Sequence, residues 1–90
     1  MAGARVDYKA SVAGDLNRLD PPVASRILTK VEGALIGGGR SVEPLTGEFA
    51  GLFRLRVGDY RVIYAKTAAG CLVLRIGHRG EVYRKGRPGQ

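Results

Sequence analysis

The stretch "RLRVGDYRVIY", Arg54 to Tyr64, decides how the second half of this chain folds. Apolar and polar residues alternate on both sides of Gly58-Asp59, the signature of two short strands joined by a two-residue turn. That loop length pairs Val57 with Tyr60, Arg56 with Arg61, Leu55 with Val62, Arg54 with Ile63 and Phe53 with Tyr64. One face of the hairpin is then apolar, and the other carries Arg54, Arg56 and Arg61. Arg56 stands directly across from Arg61, where like charges oppose folding by some tenths of a kcal/mol (~0.2–1 kcal/mol). Such a face calls for an anion.

The charge distribution makes the same demand. The chain has 90 residues and a net charge of +7. Residues 1–50 hold six Lys/Arg and six Asp/Glu, whereas residues 51–90 hold nine and two, so the whole excess lies in the second half. Seven of those nine cations are arginine, suited to bidentate contacts with phosphate. The length fits one small domain, here 1–90 with a mobile tail over 84–90, and the 44% apolar content supports a modest core. No apolar run reaches the ~18–20 residues a membrane span needs, and no secretory signal is evident, so a cytoplasmic location is expected. Cys71 stands alone, without the cysteine or histidine partners of a metal site, and reads as a small apolar strand residue.

Working outward from the hairpin, residues 51–57, 60–65 and 71–77 read as a three-stranded antiparallel meander. The connection "KTAAG" admits four or five loop residues, and a slip of one exchanges the faces. Five is preferred, because it puts Leu72, Leu74 and Ile76 beside Leu55 and Val62 and sends Arg75 to the arginine face. Upstream, residues 4–10 read as a short strand and 11–19 as a helix with Ser11 as its cap. In the clearest helix, Asp20 caps the start, Val23, Ile27, Leu28, Val31, Ala34 and Leu35 form a stripe, and Gly37 to Gly39 close the end. The loop-like composition of 37–51 matches neither phosphate-binding glycine motif. The expected fold is α+β: one strand, a helical hairpin, then the meander, with helices on one sheet face and the other face open and basic.

"LTGEFAGLFRLRVGDYRVIY" (45–64) followed by "LVLRIGHRGEVYR" (72–84) strongly resembles the RelE family of bacterial and archaeal toxins, within the RelE/ParE superfamily. The resemblance rests on RxRxGxYRxxY and GHRxEVY in combination, is dense over 45–84, and implies a RelE-like microbial RNase fold. It further implies a type II toxin that enters the A site of the 30S subunit and cuts mRNA by attack of a ribose 2′-OH on the adjacent phosphate, inhibiting translation and growth. A RelB-like antitoxin would hold it inactive, a heterotetramer being one assembly so implied. Neither metal nor cofactor is required.

Position by position, the resemblance implies catalytic roles for Arg54, Arg61, Arg79 and Tyr83. Because arginine holds its proton too tightly to be a good base, the 2′-OH proton falls to Tyr83 or His78. Arg79 would then neutralise or protonate the leaving 5′-oxygen. Arg56, Arg75, Arg84 and Lys85 are expected to contact RNA backbone. A lysine found in some relatives two positions before Arg54 is Leu52 here, a departure that counts against a mechanism in which a lysine serves as base. Two other readings share the fold: a ParE-type toxin that poisons DNA gyrase without nuclease activity, and a non-toxic basic co-repressor module.

Overall fold

The computed structural model describes residues 5–37, 42–84 and 86–88. Five strands form one sheet in the order β1-β5-β4-β3-β2: β1 Arg5–Tyr8, β2 Val42–Pro44, β3 Phe53–Val57, β4 Tyr60–Lys66 and β5 Gly70–His78. Helices α1 (Val12–Asn17) and α2 (Pro21–Gly37) connect β1 to β2.

The β3–β4 hairpin has the register that its alternation predicts, from Phe53↔Tyr64 to Val57↔Tyr60. Gly58 turns it at φ +59° while Asp59 keeps a negative φ, the arrangement of a II′ turn, whose twist matches that of the flanking strands. In α2, Ile27 and Val31 are fully buried, and Val23, Ala34 and Leu35 pack beside them. The carbonyl of Asp20 accepts the Val23 and Ala24 N–H groups at the helix start. The expected end of this helix at Gly38 and Gly39 lies outside the described residues.

Four expectations are corrected. Ser11 precedes α1 but forms no side-chain cap bond and already has helical φ and ψ; the chain enters α1 through backbone bonds from Val12 to Lys9 and from Ala13 to Ala10. Residues 42–44 are not loop: they pair antiparallel with β3, placing Glu43 opposite Arg54. At three residues, with Pro44 at the end, this is an edge strand, where a missing N–H costs nothing.

The third correction concerns β5. It starts in a four-residue-loop register, with Lys66↔Cys71, Ala65↔Leu72 and Tyr64↔Val73, then slips at a bulge to Ile63↔Arg75 and Val62↔Ile76. The extra residue exchanges faces midway along the strand. Ile76 therefore reaches the helix side and Arg75 the arginine side, as expected, but Leu72 and Leu74 pack on the face away from the helices, while Cys71 and Val73 join the helix-side core. Burial pushes the Cys71 thiol above its ordinary range, in keeping with an inert core residue.

Fourth, the sheet face away from the helices is not wholly open. Leu52, Ile63, Leu74 and Val82 form a second buried cluster there, flanked by Phe49 and Tyr83. Val82 is 2% exposed, so the segment after β5 folds back over the sheet. Part of the expected mobile tail is thus anchored: Arg87 Nη1 donates to the carbonyls of Glu48 (3.2 Å) and Ala50 (2.7 Å).

β1 pairs with β5 in parallel, Arg5↔Gly70 to Tyr8↔Val73, covering only the first part of that longer strand. Beyond it, the Asp15 carboxylate of α1 accepts the Ile76 N–H at 3.0 Å. A side chain thus takes over where the ladder stops.

Candidate RNA-cleavage site

Cross-strand pairing puts Arg54, Arg56 and Arg61 on the sheet face away from the helices, where Arg75 joins them opposite Ile63. Their surroundings divide them sharply. Arg54 is at the centre. Its Nε and Nη2 donate to Glu43 Oε1 at 3.1 and 2.8 Å, and its Nη1 donates to the Tyr83 hydroxyl at 3.2 Å. These two partners, Tyr83 first, hold the Arg54 guanidinium still more firmly protonated than usual. Glu43, hydrogen-bonded by Arg54 and close to its charge, is correspondingly held below the usual carboxylate range.

Glu43 also explains how Arg56 and Arg61 tolerate being opposite each other. Arg56 leans toward the same carboxylate oxygen, with Nε at 3.8 Å. Arg61 turns away: it is 9% exposed, and its Nη1 donates to the carbonyls of Gly58 and Tyr60, both at 2.9 Å. The repulsion anticipated from sequence is relieved by different partners for the two cations. Glu43 was missed because 37–51 reads as loop; the signal was the short "VEP" run before "LTG".

Tyr83 reaches this face from a segment of turns rather than from a strand. Its ring meets Phe49 edge to face, with centroids 5.3 Å apart. Leu52 is 5% exposed and belongs to the second core. That position bears packing here, not charge.

The other sequence candidates are spread more widely. His78 pairs with Tyr60, their rings edge to face at 5.8 Å, on the helix side of the sheet with Tyr60. Its Nδ1 accepts the Gly80 N–H at 3.2 Å. It is therefore across the sheet from Arg54 and Tyr83. A cavity of about 720 Å³ opens along this end of β5, lined by Asp15, Tyr60 and His78 together with Arg75, Val82 and Arg84, so it reaches both sides of the sheet. Arg79 is exposed, and its backbone N–H donates to Asp59 O at 2.8 Å, which puts it at the tip of the β3–β4 hairpin. Arg84 is exposed. Arg75 Nη1 donates to the carbonyls of Val82 and Gly86, contacts within the chain rather than a free cation's. Lys85 lies outside the described residues.

No group of three or more potential metal ligands occurs among the described residues. No helix among them is long and apolar enough to cross a membrane.

The family model for the ParE toxin of type II toxin-antitoxin systems matches residues 6–83. Toxin RelG of Mycobacterium tuberculosis is 30% identical over 83 residues, 89% of this chain and 95% of the relative. Toxin RelE of the same organism is 39% identical over 61 residues, covering 67% of this chain and 63% of the relative. Among solved structures, the M. tuberculosis toxin-antitoxin complex RelBE2 superimposes with a TM-score of 0.77 at 29% identity, covering 86% of this chain and 99% of the matched chain. The RelE-RelB complex from Pyrococcus horikoshii gives 0.67 at 27% identity, covering 91% and 100%. From the hairpin register to the full span of these matches, the chain belongs to the RelE/ParE superfamily as a RelE-like toxin of a type II toxin-antitoxin system.

Proposed function

We propose that this toxin is a ribosome-dependent endoribonuclease that cuts mRNA in the A site of the 30S subunit, and that a RelB-like antitoxin neutralises it. The observation carrying the proposal is the hydrogen bond from Arg54 to Tyr83 on a basic sheet face, with Glu43 holding the other edge of the same guanidinium. The nucleophile of the reaction is the substrate's own 2′-OH, so the protein's task is orientation, charge stabilisation and proton transfer. The 2′-oxygen bonds to phosphorus and the P–O5′ bond breaks, leaving a 2′,3′-cyclic phosphate and a 5′-hydroxyl.

Arg54 faces the charge that builds on the non-bridging oxygens. Tyr83, fixed against it, orients the 2′-OH and, reacting as its phenolate, takes the proton and becomes the neutral phenol; Glu43 is a second acceptor in the same cluster, whereas His78 is on the far side of the sheet. Arg79 neutralises or protonates the leaving 5′-oxygen from the hairpin tip, and Arg61 supports the site by bonding to the hairpin carbonyls of Gly58 and Tyr60. Arg56 and Arg84 hold RNA backbone, contacts that are salt-sensitive and blind to sequence. The antitoxins in the RelBE2 and P. horikoshii complexes support a protein partner for this chain too.

A second reading is favoured by the name of the matching family model: a ParE-type toxin that binds and poisons DNA gyrase. Inducing the chain alone and mapping mRNA 5′ ends in arrested cells separates the two. New ends within coding sequences, absent with Arg54→Ala, are expected. Arrest with DNA breaks and no new mRNA ends would establish the gyrase reading instead.

A further inference from the structure

We propose that Arg75 is a positioning residue for Tyr83, a latch that brackets the tyrosine's segment on both sides. Nη1 of Arg75 donates to the carbonyl of Val82 at 2.7 Å, immediately before Tyr83, and to that of Gly86 at 2.8 Å, three residues after it. One guanidinium nitrogen, rooted in the central part of β5, thus joins two points of a segment that has no helix or strand of its own.

This segment needs such a device. Its internal backbone bonds are single-turn contacts, among them Arg84 N–H to Glu81 and Gly86 N–H to Tyr83 at 3.1 and 3.2 Å. Isolated turns of this kind open readily. The Val82 side chain is buried against Leu52, Ile63 and Leu74, but apolar burial is non-directional and does not fix the rotation of the next residue. A charge-assisted bond to the Val82 carbonyl does, because it sets the peptide plane joining Val82 to Tyr83. Gly86 closes the bracket in a conformation suited to glycine: its φ is +71°, and a Cβ there would approach Glu48 Oε2 to 2.9 Å. The bulge in β5 is what puts Arg75 on this face, opposite Ile63. Arg75 therefore acts on the reaction through another residue and does not grip RNA.

This inference rests on the nuclease reading for its catalytic consequence, but its geometric part is testable alone. Arg75→Met keeps the stem and removes the donors. In solution NMR, the cross-peaks between the rings of Tyr83 and Phe49 are expected to disappear in Arg75→Met, and the amides of Val82, Tyr83, Arg84 and Gly86 to exchange faster, while α2 amides keep their protection. Ring contacts that survive unchanged would overturn the latch. On programmed ribosomes, Arg75→Met is expected to lower kcat about 10- to 100-fold, with KM and the salt dependence of mRNA binding close to wild type. In a Tyr83→Phe background the same substitution is expected to cost less than about threefold, since both act through one group. A full additive loss, or a rise in KM with a shallower salt slope, would overturn the proposal and make Arg75 an RNA contact. If the wild-type chain cuts no mRNA, the nuclease reading falls and the NMR comparison still decides the latch.

Discussion

Arg54 and Tyr83, 29 residues apart in the chain, are joined by a 3.2 Å hydrogen bond from Nη1 to the phenolic oxygen. The bond puts a cation and a hydroxyl from separate segments within reach of one phosphodiester. Replacing either group should therefore cripple the same step. Arg54→Ala and Tyr83→Phe are each expected to slow cleavage of ribosome-bound mRNA by about 100-fold or more. The double variant should be little worse than the poorer single one, with single-turnover rates as the measure. Wild-type rates in both single variants would remove this cluster from the mechanism.

Glu43 should make stability depend on pH with a defined sign. Its carboxyl is held below the usual range, first by the Arg54 hydrogen bond and then by the Arg54 charge. A lowered native value stabilises the fold above the group's unfolded value, and that contribution vanishes as pH falls through the native one. Wild type should accordingly melt above Glu43→Gln near neutral pH, and the two curves should converge as pH falls below the ordinary glutamate value of about 4.3. A constant gap at all pH values would show that the ion pair is not its source.

Arg61 should matter for folding before it matters for chemistry. It is nearly buried and donates to two hairpin carbonyls. Arg61→Ala leaves those acceptors without their partner and removes a packed stem, at an expected cost of about 1–3 kcal/mol. Urea unfolding should show a lower midpoint with an unchanged slope. An unaltered midpoint would mean that the hairpin does not need this side chain.

Gly70 opens β5 where β1 docks. Its φ is +151°, and a Cβ there would run into the Arg5 carbonyl oxygen. Gly70→Ala is expected to destabilise the chain by about 2 kcal/mol or more and to deprotect the amides of 5–8 selectively in hydrogen exchange. Retained protection there would show that the strand can shift to make room.

The sequence carried the β3–β4 hairpin fully, because strict alternation and a glycine turn leave one register that buries the apolar set. The same logic failed in β5. Val62-Ile63-Tyr64 and Leu72-Val73-Leu74 are apolar without a break, and since clusters cover both sheet faces, neither parity is penalised and a bulge can change it unannounced. β2 escaped notice because three edge residues ending in proline carry almost no periodic signal, and Glu43 went with it. Arg54 and Tyr83 were singled out through the family motifs, and the structure brings them together. For Arg61 and Arg75 the assigned face was right, but alternation cannot tell a guanidinium aimed at water from one turned back onto carbonyls.

The parallel seam between β1 and β5 also has a temporal meaning. A ribosome makes Arg5 to Tyr8 long before Gly70 to Val73, so the growing chain holds its first strand without a neighbour until the last one emerges. Tyr83 comes later still. Translation order thus delays the meeting of Arg54 and Tyr83 until the strands between them have been made.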